Sequence, residues 1–246
     1  MEKRRREVLA GLASVGTLAV AGCANQNPAE AIGPTETESP DGESTTTGGT
    51  TAGGERLEDH PAAAGLASQP TLGPDPADAD GVIVAFEDPS CPRCKRFEQA
   101  TVPRIKSELV EPGTASFVFR GYPVVYEWGQ PATRTLEATY ARSADAHWRL
   151  LDHYFENQTD FREAGTEEVY PLTREFLAAE TDLDAGAVVA AAENGDHEDA
   201  VSTDLSAGQE ANATATPTVF LFRDGRYRTR ASGSVSFTLV KNALGV

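Results

Sequence analysis

Two cysteines three residues apart, Cys91 and Cys94, carry the chemistry of this sequence, with Pro92 and Arg93 between them. They follow a short apolar run, residues 82–86, and open a segment with helical spacing in which Phe97, Thr101, Ile105 and Leu109 recur every four residues. A thiol in the first turn of a helix faces unpaired backbone N–H groups and the positive end of the dipole, so its thiolate is stabilised. The second thiol lies one turn further on and faces inward, placed to attack a mixed disulfide formed at the first. Pro92 suits the first turn, where its missing N–H costs nothing. Arg93, Lys95 and Arg96 add positive charge, although the last two also fit a solvated helix face. The expected chemistry is thiol–disulfide exchange, with Cys91 as nucleophile or attacked sulfur and Cys94 as the resolving thiol.

Other uses of a two-cysteine cluster fit less well. Haem attachment needs His directly after the second Cys, where Lys95 stands. Structural zinc needs about four ligands, and His60, His147, His153 and His197 do not pair at helical spacing. No metal site is therefore expected. A purely structural disulfide across two residues stays open as an unusual alternative.

The elements that must position the pair form a β/α pattern. Residues 82–86 and 115–120 read as strands, the first buried by its continuous apolar run. Helical spacing is expected over residues 131–142, 147–155, 171–179 and 185–193, with Trp148, Leu151 and Phe155 on one face. Pro103 is expected to kink the helix that begins at the cysteines. Residues 218–222 and 226–231 form a hairpin through Asp224-Gly225, and a helix from about Ser236 closes the chain.

The N-terminus reads as an address. Lys3, Arg4, Arg5 and Arg6 precede an uncharged, mostly apolar run over residues 8–21, a signal h-region too short to span a bilayer. Arg5-Arg6-Glu7-Val8-Leu9 resembles a twin-arginine signal, a general export signal being the alternative. Val20-Ala21-Gly22-Cys23 resembles a lipobox, in which Cys23 is acylated and becomes the new N-terminus. The expected organisation is an export signal over 1–22, a lipidated Cys23 with a disordered tether over 23–60, and a folded domain over 61–246. Residues 34–54 have Ala52 as their one apolar side chain, too little burial to offset the entropy of ordering.

Charge excludes one class and characterises another. The chain has 246 residues with 38 acidic against 21 basic, a net −17, so binding nucleic acid through phosphate contacts is not expected. Removing the signal head leaves 17 basic and 36 acidic residues, with three lysines among the basic ones. Such a composition looks like that of halophile proteins, whose self-repulsion salt screens. An acidic secreted protein is the alternative. Asn157-Gln158-Thr159 and Asn212-Ala213-Thr214 fit the glycosylation acceptor pattern. Asn212, five residues before Pro217, is expected to crowd the site if modified and so to be bare, and Asn157, well away in sequence from either motif, to be the one modified if either is.

The strand, the Cys-Pro-Arg-Cys motif and Cys94-Lys95-Arg96-Phe97-Glu98 together resemble the DsbA-like branch of the thioredoxin superfamily. Gly121-Tyr122-Pro123-Val124, His147-Trp148 with Phe155, and Ala215-Thr216-Pro217-Thr218-Val219-Phe220 extend the resemblance over roughly residues 70–246. It implies an α/β thioredoxin-like fold with a helical insertion. It implies a cis Pro217 facing the redox pair, with the Thr216 backbone pairing to an extended substrate. It also matches Glu98 to a glutamate on the active-site helix, a solvated carboxylate being the alternative. Two departures stand out. Ala85 occupies the position of the family's buried carboxylate, leaving a water or Glu98 for that work, and Glu87 and Asp88 need not lie beneath the cysteines. Thr216 is closer to the isomerase and reductase branches.

The expected protein is thus an exported, lipid-anchored thiol–disulfide oxidoreductase on the outer face of the cytoplasmic membrane. It needs no metal or organic cofactor, takes electrons to or from a membrane redox partner, and acts on exported proteins with thiols or disulfides. Arg93 and Pro92 lean toward the oxidase direction and Thr216 toward reductase or isomerase. A thioredoxin-like surface lipoprotein that binds a partner or metal without turnover is the alternative from another class.

Overall fold

A computed structural model of the protein describes residues 54–246. The segments expected to be an export signal and a tether, with Cys23, lie outside the described residues as far as residue 53. Five strands form one sheet in the order β1-β3-β2-β4-β5: β1 (Thr71–Leu72), β2 (Gly81–Glu87), β3 (Ala115–Gly121), β4 (Thr218–Arg223) and β5 (Arg226–Ser232). Strands β2 and β3 run parallel; β1, β4 and β5 pair antiparallel to their neighbours. All seven residues of β2 are buried, as its unbroken apolar run requires of a strand covered on both faces.

The period of two assigns β2 side chains to two layers. Ile83 and Ala85 pack with Phe97, Ile105, Val219 and Val240, under α1 (Pro92–Ala100), α2 (Val102–Ile105) and α9 (Phe237–Leu244). Val82, Val84 and Phe86 pack on the opposite face with Ala207, Ala211 and Phe220. That face is covered by α8 (Glu198–Glu210). A third apolar cluster belongs to the helices inserted after β3: α3 (Gly129–Tyr140), α4 (Ala144–Glu156), α5 (Gln158–Ala164), α6 (Val169–Glu180) and α7 (Ala185–Asn194). It holds Trp128, Leu136, Leu150, Tyr154, Phe161 and Leu177, and it includes Cys91 and Cys94. The two cysteines therefore sit where the sheet's helix α1 meets the insertion.

The thioredoxin-like fold with a helical insertion is the one expected, and β2 to β5 and four insertion helices fall within a few residues of their sequence limits, whereas the two-residue β1 was not expected. At Pro103 the helix breaks rather than kinks. Helix α1 stops at Ala100, α2 restarts at Val102, and a π-helical turn follows at Lys106–Val110. Thr101, at the break, donates its hydroxyl to Val235 O at 2.8 Å. Asp224 and Gly225 adopt φ values of 52° and 67°, the left-handed pair a tight hairpin turn demands.

Residues 54–60, assigned to the tether by composition, run along the domain instead. Leu57 N donates to Gly225 O and Tyr227 N to Glu55 O, and Arg56 bridges Arg226. His60 is buried against Phe220, Phe222 and Tyr227. Composition hid this because the segment is held by backbone pairing with the edge strand β5 and by only two packed side chains, Leu57 and His60.

Candidate active site

Cys91 is the N-cap of α1, with extended backbone, and Pro92 is the first helical residue. Cys94 follows one turn later and is fully buried; Cys91 is 1% exposed. The two thiols are held at opposite ends of the acidity range. A hydrogen bond from the Cys94 thiol pulls the Cys91 thiol down to about 5, against the opposing effect of burial. The Thr216 hydroxyl and the N–H groups of Arg93 and Cys94 add to that pull. Burial pushes Cys94 well above the ordinary thiol range, and the proximity of Cys91 and of the Glu87 charge pushes it further. Asp88 N, at the end of β2, lies 3.5 Å from the Cys94 sulfur and donates to it.

The loop before β4 closes over the pair. The Thr216–Pro217 peptide is cis, and the Cys91 thiol lies 3.4 Å from Thr216 O. Thr216 is buried, and its hydroxyl has no hydrogen-bond partner of ordinary geometry in the described chain. Pro217 O accepts from Gly233 N at 2.8 Å. Arg93 is exposed and lies across from Gly233.

Glu98 is buried on α1 rather than solvated. Facing it is Glu87, fully buried at the end of β2, with neither carboxyl oxygen hydrogen-bonded in ordinary geometry. Burial, then the like charge of Glu98, push the Glu87 carboxyl well above the carboxylate range. Burial raises Glu98 to about 7, with Lys106 opposing. Sequence reasoning placed the family carboxylate at Ala85 and left Glu87 unassigned. Strand parity was the missed signal: residue 87 shares the face of 83 and 85, under α1.

Asp88 does different work. Its Oδ1 accepts from Ser90 N and Ser90 Oγ at 2.7 and 2.6 Å, and its Oδ2 accepts from Val124 N and Val125 N at 2.9 and 2.7 Å. The carboxyl thereby ties the turn before Cys91 to the loop after β3. A Cβ at Gly129 would press on this carboxyl, so the first residue of α3 must be small. Gln158 completes the frame, donating to Pro89 O at 2.7 Å and Cys91 O at 2.9 Å.

That contact overturns the placement expected for the first of the two acceptor sequences. Asn157-Gln158-Thr159 borders Cys91, and the Asn157 amide is already bonded to His153 O. Asn212 is exposed, at φ 58°, while Ala211 and Ala213 beside it pack on the sheet face opposite α1. The helix α5 that carries Gln158 was not expected at all, because its seven residues are too few to show a period.

The raised Glu87 carboxyl predicts a pH signature. A carboxyl with a folded pKa above its unfolded value is protonated in the fold at pH values where the unfolded chain has released its proton. The unfolded state is then favoured increasingly as pH rises from about 4 toward the folded pKa. Glu87→Gln removes this penalty. The variant is expected to match the parent near pH 4 and to be more stable at pH 8, as read by denaturant melts at both values.

Among the described residues no group of three or more His, Cys, Asp or Glu is arranged to hold a metal ion, and no helix is long and apolar enough to cross a membrane. A family model described as Thioredoxin matches residues 69–233. The probable disulfide bond formation protein D of Bacillus cereus is 30% identical over 91 residues, covering 37% of this chain and 41% of that protein. Disulfide bond formation protein D of Bacillus subtilis is 26% identical over 157 residues, 63% of this chain and 68% of that protein. The matches span less than half the length of the first two curated relatives, 41% and 46%. Among solved structures, oxidised BdbD from Bacillus subtilis superposes with a TM-score of 0.62 at 22% identity, covering 72% of this chain and 91% of that one. Alpha-DsbA1 from Wolbachia pipientis gives 0.59 at 17% identity, over 72% and 89%.

Proposed function

Because the chain belongs to the thioredoxin family and has the DsbA-like fold, we propose that it is an exported, membrane-anchored thiol–disulfide oxidoreductase working through Cys91 and Cys94. The observation that carries this reading is the opposition of the two thiols, one activated to about 5 and one held protonated above the ordinary range. A structural disulfide has no use for such an asymmetry. The relatives' printed names, disulfide bond formation protein, agree with it.

In the oxidase direction, a substrate thiolate attacks the Cys91 sulfur of the oxidised pair, and the Cys91–Cys94 bond breaks as the mixed disulfide forms. Cys94 leaves with the electron pair and takes a proton. A second substrate thiolate then attacks the substrate sulfur of the mixed disulfide and releases Cys91 as a thiolate. Two electrons pass from the substrate dithiol to the pair, and a membrane redox partner accepts them. The low Cys91 pKa favours this direction, because a stabilised thiolate favours the reduced form. Reductase or isomerase action of the same site is the second reading, favoured by Thr216. There Cys94 must lose its proton to resolve the mixed disulfide. Glu87, whose charge bears on Cys94 and which shares its buried site with Glu98, serves as the proton acceptor once the carboxyl pair has released a proton. Glu87→Gln is expected to slow that resolution roughly 10- to 100-fold, read as persistence of mixed disulfide after mixing with a disulfide peptide.

The substrate chain runs in extended form along the Thr216–Pro217 edge and pairs with the Thr216 backbone, a form of strand addition. Its entry displaces the thiol from Thr216 O and opens the otherwise covered Cys91. Oxidative refolding of a reduced exported protein tests the function. Catalysed recovery of its disulfides is expected, and recovery at the uncatalysed rate points to the non-catalytic reading.

Residues 20–23 support the anchor. Cys23→Ala is expected to release the protein from membranes while leaving its disulfide exchange intact. Mass spectrometry of the mature protein checks this: an acylated Cys23 at the N-terminus agrees, and an unlipidated N-terminus beyond residue 23 does not.

A further inference from the structure

The clefts beside the turn that carries Cys91 are lined by cations in a protein of net −17. Two clefts flank the head of α1. One, of about 260 Å³, is lined by Arg93, Arg96, Phe97 and the 233–236 segment of the β5–α9 connection. The other, of about 170 Å³, is lined by Ser90, Pro92, Lys95, Tyr126, Gln158 and Arg162. Each contains two cationic side chains and no carboxylate. Helical spacing produces the split: Arg93 and Arg96, three apart, share one flank of α1, and Lys95 lies on the other.

None of the four cations forms an ion pair among the described residues, in a chain with 38 acidic residues. Arg93, Arg96 and Arg162 are exposed; Lys95 reaches only the backbone carbonyl of Glu156, at 3.0 Å. Asp160 and Glu163 neighbour Arg162 on α5 and still make no pair with it. At net −17 the protein as a whole repels an acidic chain, so an acidic substrate needs local cations where the thiols must meet.

We infer that these four cations are specificity determinants for acidic substrate segments, whose carboxylates on either side of the reacting cysteine enter the two clefts. An extended chain on the Thr216–Pro217 edge passes over Cys91 with flanks reaching both sides. The two clefts are lined by the residues either side of Cys91, Ser90 and Pro92 in one and Arg93 in the other, and this favours a polypeptide over an anionic lipid surface, which would seal Cys91 from its substrates. The inference rests on the disulfide-exchange reading above and adds the class of substrate.

The test uses the full-length oxidised protein and three dithiol peptides, alike except that Glu, Gln or Lys flanks each cysteine. In each reaction the peptide dithiol becomes a disulfide as the Cys91–Cys94 bond becomes two thiols, with two electrons and two protons passing. Rates are divided by those of the same peptides with hydroxyethyl disulfide, which is uncharged and so removes the effect of the flanks on the peptides' own thiol acidity without adding a charge preference of its own. At the lowest salt at which circular dichroism shows the protein folded, the Glu peptide is expected to outpace the Lys peptide by about tenfold, several weak exposed pairs acting together. The ratio should shrink toward one in molar salt, where the screening length falls to about 3 Å. The double variant Arg96→Glu/Arg162→Glu is expected to reverse the order. Equal normalised rates for the three peptides overturn the inference while leaving exchange itself standing. No reaction with any peptide overturns the exchange reading and this inference with it. Loss of binding to anionic vesicles in the double variant, with peptide order unchanged, assigns the cations to a membrane surface instead and also overturns it.

Discussion

Cys91→Ser is expected to reduce thiol–disulfide exchange to the uncatalysed level, and Cys94→Ser to leave a protein that traps its substrates. The difference follows from where the two sulfurs stand. Cys91 is at the helix head beside Thr216, with its thiol pulled down to about 5. It is ionised at neutral pH, and no other activated thiol exists among the described residues. A hydroxyl in its place neither ionises in this range nor forms the mixed disulfide. Cys94 is fully buried and protonated, so a substrate meets Cys91 and not Cys94. In Cys94→Ser the first step still runs, and the resolving step has lost its thiol. Non-reducing gels after incubation with a disulfide-containing protein check both outcomes: no adducts with Cys91→Ser, and accumulated adducts with Cys94→Ser. Activity in Cys91→Ser equal to that of the parent would end the enzyme reading.

The second large effect concerns stability. Arg120→Ala is expected to destabilise the fold by about 3–5 kcal/mol, the cost of leaving the partner of a buried pair alone. Arg120 is fully buried on the face of β3 beneath α8. Its Nε and Nη2 contact Asp204 Oδ1 at 2.9 and 2.8 Å, and its Nη1 donates to Ala62 O and Ala64 O at 2.9 and 2.7 Å. Asp204 Oδ2 also accepts from Gly121 N, and Gln69 reaches Oδ1. One guanidinium thus joins β3, α8 and the segment leading into the domain. Thermal melts should show a fall of about 6–20 °C. Burial holds the Asp204 carboxyl at about 6 against the pull of Arg120, and burial with the Asp204 charge holds Glu137 at about 8. Without Arg120, Asp204 takes up a proton more readily. The loss should therefore be smaller at pH 5 than at pH 8. An equal loss at both values would mean that packing, not charge, is what Arg120 supplies.

Much of the site is legible in the amino-acid order because its signals are local. The strand before Cys91, the helix beginning at Pro92 and the turn at Asp224-Gly225 each depend on a few consecutive residues. Other parts depend on which segments meet. Helix α8 escaped notice because Val201 and Leu205 are its only apolar side chains larger than alanine. It is held instead by small residues and the Asp204–Arg120 pair. Gly208 there lets Tyr122 approach so closely that any Cβ would collide with the ring. Gln158 is 67 residues from the carbonyl of Cys91 that it holds, and no spacing rule reaches that far. Glu87 is the instructive case, since parity on β2 does place it under α1. A resemblance that directed attention to position 85 hid a carboxyl two residues on, on the same face.

The central claim is that Cys91 is an activated thiolate and Cys94 its buried, protonated partner. Thiolate absorbance of the fully reduced protein, followed from about pH 3 to 9, a range that spans the ordinary thiol value, tests it most directly. One thiolate is expected to appear with a midpoint near 5, absent in Cys91→Ser and retained in altered form in Cys94→Ser. The second thiol is expected to stay protonated to the end of the range. Two thiols titrating together near the ordinary value of about 8.5 would contradict the account.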